Sequence, residues 1–290
     1  MKIYIQNISK QKVEGGWTWL RNFRKSMQRY DVQFVDNWKD CDVFLIAGVT
    51  ITDPYEVIEA KKAGKAIVHR VDNVPRKSRN RRNTPHERMK ELSDLSDVII
   101  YQSNWARTYC KPLCGDGTVI YNGVDKDIFY PPKKLGTNHK GISNRYLFAY
   151  NGKSELKQFW VAHYLYQMEF RESNTCDFWF IYDFGRDLEE LKNGNFDFWN
   201  GERYSHIPKV DDPNDMADIM RQCETLIFPS VADASPNTVL EARACGLKVI
   251  GYPNEDISGT KELLDPNLDI SLDRMGEEYW GVLQLACQKI

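Results

Sequence analysis

The chain has 290 residues, of which 42% are hydrophobic and 28% charged, and a formal net charge of −2. That length exceeds what one typical core needs and suits two domains of roughly 140 residues each, while the near-neutral balance excludes a protein that binds polyanions over its whole surface. No apolar run approaches the ~20 residues of a membrane-spanning helix, and seven cysteines, an odd number without paired spacing, fit reduced thiols better than a disulfide framework.

The opening MKIYIQN enters a strand pattern at once, without the apolar stretch and small-residue cleavage site of a signal peptide, so a soluble cytoplasmic protein is expected. Strand-like runs follow in order: KIYIQ, VQFV, VFLIAG, AIVHRV, VIIYQS and TVIYNGV in the first half, then YLFAYNG, DFWFIYDFG, TLIFPS and KVIGYP in the second. Helical stretches separate them, and such alternation predicts parallel sheets covered by helices on both faces. In TDPYEVIEAKKAGKAIVHR, Thr52 or Asp53 can cap a helix, Pro54 suits its first turn and Gly64 can end it. The basic run RKSRNRRN (76–83) reads either as a solvated loop or as the contact for an anionic partner. Around DIFYPPKKLGTNHKGISNRY the rhythm breaks, which places a linker near 130–144 and domains at 1–135 and 136–290, the last helix packing back toward the first domain. In open α/β sheets ligands lie beyond the carboxyl ends of the strands, so two such Rossmann-like domains are expected to face each other across a cleft.

Several chemistries find no support. NGKS (151–154) resembles the end of a P-loop, but the glycine that motif needs is replaced by Leu147. There is no dinucleotide fingerprint after the first strand, HERMK lacks the second histidine of a zinc helix, and no G-x-S-x-G elbow occurs. No metal site is expected.

One stretch remains, DASPNTVLE (233–241). Ser235 can cap a helix whose first residue is Pro236, leaving the backbone N–H groups of Asn237 and Thr238 at an amino end that attracts anions. A phosphate there gains about 0.3–1 kcal/mol, up to ~2 if partly buried. Glu241, on the second turn, can reach the ribose of a nucleotide, and Asp233 suits a neutral polyol such as a sugar ring. The plain alternative makes Asp233 a solvated loop acid and Glu241 an exposed helix residue.

DASPNTVLEARACGLKVI resembles the signature of glycosyltransferase family 4, in which an acid, seven residues and a glutamate precede A-x-A-x-G-x-x-V. VIYNGVDKDIFYP (119–131) is similar to the family's N-G-V-D segment, and SDVIIYQSNWARTYC (96–110) to its last amino-domain strand and helix. The resemblance implies the glycosyltransferase-B architecture and a retaining, metal-independent, cofactor-free transfer from a nucleoside diphosphate sugar to a hydroxyl. It implies that Glu241 binds the ribose, Asp233 the transferred sugar, and the backbone at Pro236, Asn237 and Thr238 the diphosphate. The family's usual glutamate is an aspartate at 233, one methylene shorter. Gly15 and Gly16 correspond to the glycine pair that lets the backbone approach the donor phosphate. Lys153 and Lys157 stand where the family places an arginine and a lysine for the leaving diphosphate, and Lys157 matches the lysine better.

At the end of IVHRVDN, His69 either points toward sugar or acceptor or is a buried structural histidine; the resemblance favours a catalytic role, with Arg70 and Asp72 beside it on the acceptor side. Arg79, Arg81 and Arg82 then hold an anionic acceptor, either an anionic glycan or a hydroxymethylated base in DNA. Polysaccharide, lipid-linked and small-molecule acceptors also suit such enzymes. The shorter acid and the missing arginine leave a second class open, a catalytically degenerate nucleotide-sugar-binding protein.

Overall fold

A computed structural model describes residues 1–6, 15–72, 74, 85–133, 144–150, 157–173, 176–182, 204–252 and 258–289. Lys153, Arg79, Arg81 and Arg82 lie outside the described residues. The chain folds into two compact units. The first comprises Met1–Val124, Asp233–Asn237 and Asp265–Ile290, and the second Asp125–Ala232 and Thr238–Leu264.

In the first unit the β-rich runs form strands β1 (Lys2–Tyr4), β2 (Gln33–Val35), β3 (Val43–Ile46), β4 (Ala66–Val71), β5 (Val98–Tyr101) and β6 (Thr118–Val119). They make one wholly parallel sheet in the order β2-β1-β3-β4-β5-β6. β3, β4 and β5 are buried along their whole length, which is why β3 and β5 read as apolar runs without alternation, while β4 buries His69 and Arg70 among its apolar residues. Helices α1 (Gly15–Met27), α2 (Pro54–Lys62), α3 (Pro85–Asp94) and α4 (Asn104–Cys114) intervene. The cap of α2 is Asp53, whose side chain accepts from the Tyr55 N–H at 3.0 Å; Pro54 opens the helix, and Gly64 beyond its end has φ of 70°.

The second unit carries β7 (Asn144–Ala149), α5 (Phe159–Ser173), β8 (Cys176–Ile181), β9 (Tyr204–Ile207), α6 (Pro213–Met220), β10 (Thr225–Ile227), α7 (Asn237–Ala244, most of it in this unit) and β11 (Lys248–Ile250). Its sheet is parallel, ordered β11-β10-β7-β8-β9. The core is aromatic: Phe148, Phe159, Tyr166, Phe178 and Phe180 pack under β7 and β8, with Tyr166 stacked on Phe178 at 4.9 Å. β9 is absent from the sequence expectation because an edge strand with Ser205 and His206 exposed carries no apolar signal.

The unit boundary falls at Val124/Asp125 rather than at residue 135. Arg221, following α6, donates to the Ile128 carbonyl at 2.9 Å and covers the Tyr130 ring at 4.4 Å, so 125–130 belong with the second sheet. The final helix α8 (Leu272–Gln288) packs within the first unit against α1. Phe23 lies between Trp19, stacked at 5.1 Å, and Tyr279, edge-on at 5.0 Å. Gly276 permits the approach, since a Cβ there would stand 2.7 Å from the Ser26 carbonyl oxygen. All seven cysteines are free thiols, and among the described residues no helix is long and apolar enough to cross a membrane.

Backbone of α1 cannot yield as a flexible side chain would, so Gly276→Val is expected to destabilise the first unit by about 1–3 kcal/mol through overpacking. A lowered thermal unfolding midpoint checks this.

Candidate functional site

In the second unit the chain runs from β7 outward to β8 and β9 on one side and returns to β10 and β11 on the other, so the order of strands reverses between β7 and β10. The carboxyl edge at such a switch point is where open α/β sheets hold ligands, because the two loops diverge and leave a crevice. Lys157 stands there. Its Nζ lies 5.3 Å from the ring of Tyr150, which follows β7, and 5.6 Å from the ring of Phe228, which follows β10. Each aromatic face offers about 0.5–1 kcal/mol to a cation and confines the ammonium without neutralising it. Both loops also carry left-handed backbone at a non-glycine residue, Gln158 with φ of 53° and Ala232 with φ of 56°. Such strain persists only where the surroundings impose it, and it concentrates at functional sites.

From Ala232 the chain passes through Asp233 to the amino end of α7. The first helical residue is Asn237, one later than the spacing suggests. Ser235 does not cap it: the residue is 7% exposed and its Oγ has no hydrogen-bond partner. A buried unpaired hydroxyl forfeits about 1–3 kcal/mol. Asp233, Asn237 and Thr238 are half-buried. Glu241, expected as either a ribose ligand or an exposed helix residue, is only 9% exposed, which argues against the second description.

Residues 233–237 are held by a polar network within the first unit. The Asn122 Nδ2 donates to the Ser235 carbonyl at 3.0 Å and to Asn237 Oδ1 at 3.1 Å, with a longer contact of 3.3 Å to Gln102 Oε1. Gln102 Nε2 donates to the Val71 carbonyl at 3.0 Å, which turns its Oε1 toward Arg70 Nη2 at 2.6 Å. Arg70 also reaches the Ala47 carbonyl at 3.3 Å and Asn122 Oδ1 at 3.5 Å, and its Cζ rests 4.0 Å from the centroid of Trp19. A guanidinium only donates, so it turns both amide oxygens toward itself and leaves the Asn122 NH₂ facing Ser235 and Asn237. Burial lowers the Arg70 pKa, with Tyr279 and Asp72 acting the other way.

The backbone of Asn122 is fixed independently. Arg274, on α8, donates to the carbonyls of Tyr121 at 2.8 Å and Asn122 at 3.0 Å, and Asn22, on α1, donates to the Gly123 carbonyl at 2.8 Å. Asn122 and Gln102 escape sequence reading as site residues, although both lie in quoted segments. The signal that could have found Gln102 is a carboxamide at the carboxyl end of a buried strand, β5; Asn122, past the partly exposed β6, carries no such signal.

The remaining expected residues separate. Gly15 and Gly16 are the first two residues of α1, where donors without intrahelical partners occur. Asp72 accepts from the Val49 N–H at 3.3 Å. Arg70, expected to meet an acceptor, is 3% exposed and engaged inside the unit. His69 does not stand free at the end of its strand. Neighbours on a strand point to opposite faces, so His69 turns toward α3, Nδ1 2.9 Å from Ser93 Oγ, while Arg70 turns toward α1. The His69 ring is fully buried, and desolvation, helped by the Arg70 charge, lowers its pKa from 6.5 to about 3. It is a neutral packed imidazole. Among the described residues no three His, Cys, Asp or Glu side chains are grouped to hold a metal ion.

No family model matches the sequence, and no curated protein matches it. Solved structures match in fold. HepE of Anabaena in complex with UDP is 14% identical, with a TM-score of 0.66 over 99% of this chain and 91% of that one. Sucrose-phosphate synthase of Thermosynechococcus elongatus is 11% identical, with a TM-score of 0.67 over 100% and 97%. An alpha-glucosyltransferase in complex with UDP-glucose and DNA containing an abasic site is 12% identical, with a TM-score of 0.54 over 99% and 92%. At these identities the likeness is one of fold, and the two parallel α/β sheets of this chain are those of the glycosyltransferase-B architecture.

The buried His69 has a consequence for stability. Between pH about 3 and 6.5 the unfolded chain binds a proton at this residue that the folded chain does not, so stability rises with pH through that window and is lost as pH falls below 6.5. One proton corresponds to at most about 1.4 kcal/mol per pH unit. His69→Gln is expected to flatten the acid limb, read as a smaller difference in unfolding free energy between mildly acidic and neutral buffer.

Proposed function

We propose that the protein is a glycosyltransferase that moves a sugar from a nucleoside diphosphate sugar to a hydroxyl acceptor in the cytoplasm, with retention at the anomeric carbon and without a metal. The observation that carries this reading is the confined ammonium of Lys157 at the switch point between β7 and β10. A cation held on aromatic faces at that place suits a leaving group whose negative charge grows as its bond breaks. The UDP bound in the HepE structure and the UDP-glucose bound in the alpha-glucosyltransferase structure support the same substrate class.

In this reading the bond from the anomeric carbon to the diphosphate oxygen breaks, and its electron pair passes to the diphosphate. The acceptor oxygen bonds to the anomeric carbon from the same face, and its proton goes to the departing diphosphate oxygen. Lys157 offsets the charge of that oxygen, with Lys153 as the second cation and the glycine pair at α1 as a further phosphate contact. The amino end of α7, at Pro236, Asn237 and Thr238, binds the diphosphate. Asp233 accepts from sugar hydroxyls and Glu241 from the ribose. In the same reading Asp72 lies on the acceptor side, and the buried His69 and Arg70 act in support, Arg70 through Asn122.

A hydroxymethylated base in DNA is the second reading of the acceptor. It is favoured by the five basic side chains of RKSRNRRN and by the DNA present in the alpha-glucosyltransferase structure. Lys and Arg on phosphates would position the duplex while the base is turned out to react.

A panel of nucleotide sugars, screened by heat stabilisation and then by release of nucleoside diphosphate, tests the donor. Glu241→Ala is expected to weaken nucleotide binding by about 1–3 kcal/mol, and Lys157→Ala to lower turnover more than affinity. Normal turnover by Lys157→Ala would sink the leaving-group assignment, and binding without release from any nucleotide sugar would leave a degenerate binding protein. For the acceptor, joint replacement of Arg79, Arg81 and Arg82 by alanine should abolish salt-sensitive retention on DNA. Unchanged retention removes the DNA reading.

A further inference from the structure

We infer that the outward face of α5, carried by Trp160, Val161, Tyr164 and Met168, is the contact through which two copies of this chain pair about a two-fold axis. The inference is independent of the donor chemistry and uses none of the residues assigned to it.

α5 is apolar on two sides. Phe159, Ala162 and Tyr166 face the aromatic core beneath β7 and β8. On the far side Trp160 is 50% exposed, Tyr164 62% and Met168 42%, with Val161 exposed beside them. Residues four apart share a helix face, so Trp160, Tyr164 and Met168 form one stripe. The eleven residues from Gln158 to Met168 contain no Lys, Arg, Asp or Glu, where a surface helix of that length ordinarily carries about three charges. Other exposed large hydrophobic side chains, such as Tyr55 on α2 and Leu285 on α8, fall on separate elements. Scattered singly they need no explanation, but a contiguous stripe on a helix already buried on its other side marks a second contact.

Charge selects the occupant. A two-fold contact brings the residues at its centre against their own copies, so a charge there repels itself, and this stripe carries none. His163, the only imidazole in the run, turns toward Tyr204, with ring centroids 5.8 Å apart, and burial lowers its pKa. Glu169, just past the stripe, accepts from the Tyr146 hydroxyl at 2.9 Å, which draws its carboxylate back toward β7. With the helices antiparallel and the axis at Tyr164, that ring meets its own copy and Trp160 meets the partner's Met168, an aromatic–thioether contact. A helix that docks on a membrane surface is bordered by Lys and Arg for the headgroups, and residues 158–168 include neither.

Area sets the strength. Trp160 and Tyr164, each at least half exposed, present about 100 Å² of ring apiece. A stable complex hides about 600–1,000 Å² on each partner, so the stripe forms the apolar centre of a modest interface and pairing is expected at micromolar concentrations.

Sedimentation velocity of the full chain between about 1 and 100 μM tests the contact. Wild type should pass from monomer to dimer over this range. Tyr164→Arg, which sets a cation against its own copy, should stay monomeric, at least a roughly 10-fold loss of affinity, and should melt as wild type does at the lowest concentration. A short bismaleimide linker should capture Tyr164→Cys as a covalent dimer, and should capture neither wild type nor Tyr55→Cys. A wild type that remains monomeric throughout overturns the inference, as does a dimer that survives Tyr164→Arg, since another face would then hold it. Should Tyr164→Arg fail to fold, the linker decides, and absence of the Tyr164→Cys dimer overturns the pairing. Flotation of monomeric wild type with phosphatidylcholine vesicles would assign the stripe to lipid and overturn it as well.

Discussion

The carboxamide of Asn122 is the joint on which the candidate site depends. It spans 113 residues of sequence to reach the Ser235 carbonyl, and the segment it grips bears Asp233 and leads into α7. A neutral amide can perform this task only if its orientation is settled. Arg70 settles it, because a guanidinium faces amide oxygens and never amide hydrogens. The position of Arg70 is settled in turn by Trp19 beneath it and by the fully buried β4 that carries it. Deep burial of a cation is costly unless its donors are used, and here the two terminal nitrogens reach Gln102, Ala47 and Asn122 while Nε is left without a partner. Charge in the core of the first unit thereby orders the segment that leads into α7.

The carboxyl-terminal helix contributes to the same end by different means. Its aromatic seam with α1 supplies the apolar burial, and Arg274 uses the platform so created to fix the carbonyls on either side of the Asn122 Cα. Loops satisfy their backbone with whatever lies nearby, and this one is satisfied by α8 and α1. In the second unit the organisation is simpler. A doubly wound sheet leaves a crevice where its strand order reverses, and Lys157 is confined there by aromatic rings from the loops on both sides.

Much of this was legible in the residues. The strands of the first sheet, β7, β8, β10 and β11, and the cap and stop of α2 all follow from local patterns, most plainly β3 and β5, where burial on both faces writes a run of apolar residues, and α2, whose end writes its cap within three residues. Three features of the structure have reasons no local pattern contains. Strand β9 is half exposed and carries no apolar signal. Ser235 has the chemistry of a cap but lies outside the reach of α7's N–H groups. His69 and Arg70 look alike as polar residues ending a strand, yet the pleat sends them to opposite layers and buries both.

The amino-acid sequence by itself determined the alternation of strands and helices, the number of sheets that alternation builds, and the residue types at the start of α7. Those depend on interactions within a turn or a strand, where spacing is geometry. Only the tertiary structure decided that Asn122 grips residues 235 and 237 and that Lys157 lies between Tyr150 and Phe228. Each of these joins groups distant along the chain, and their meeting is set by how sheets wind and pack, which no single stretch of sequence encodes.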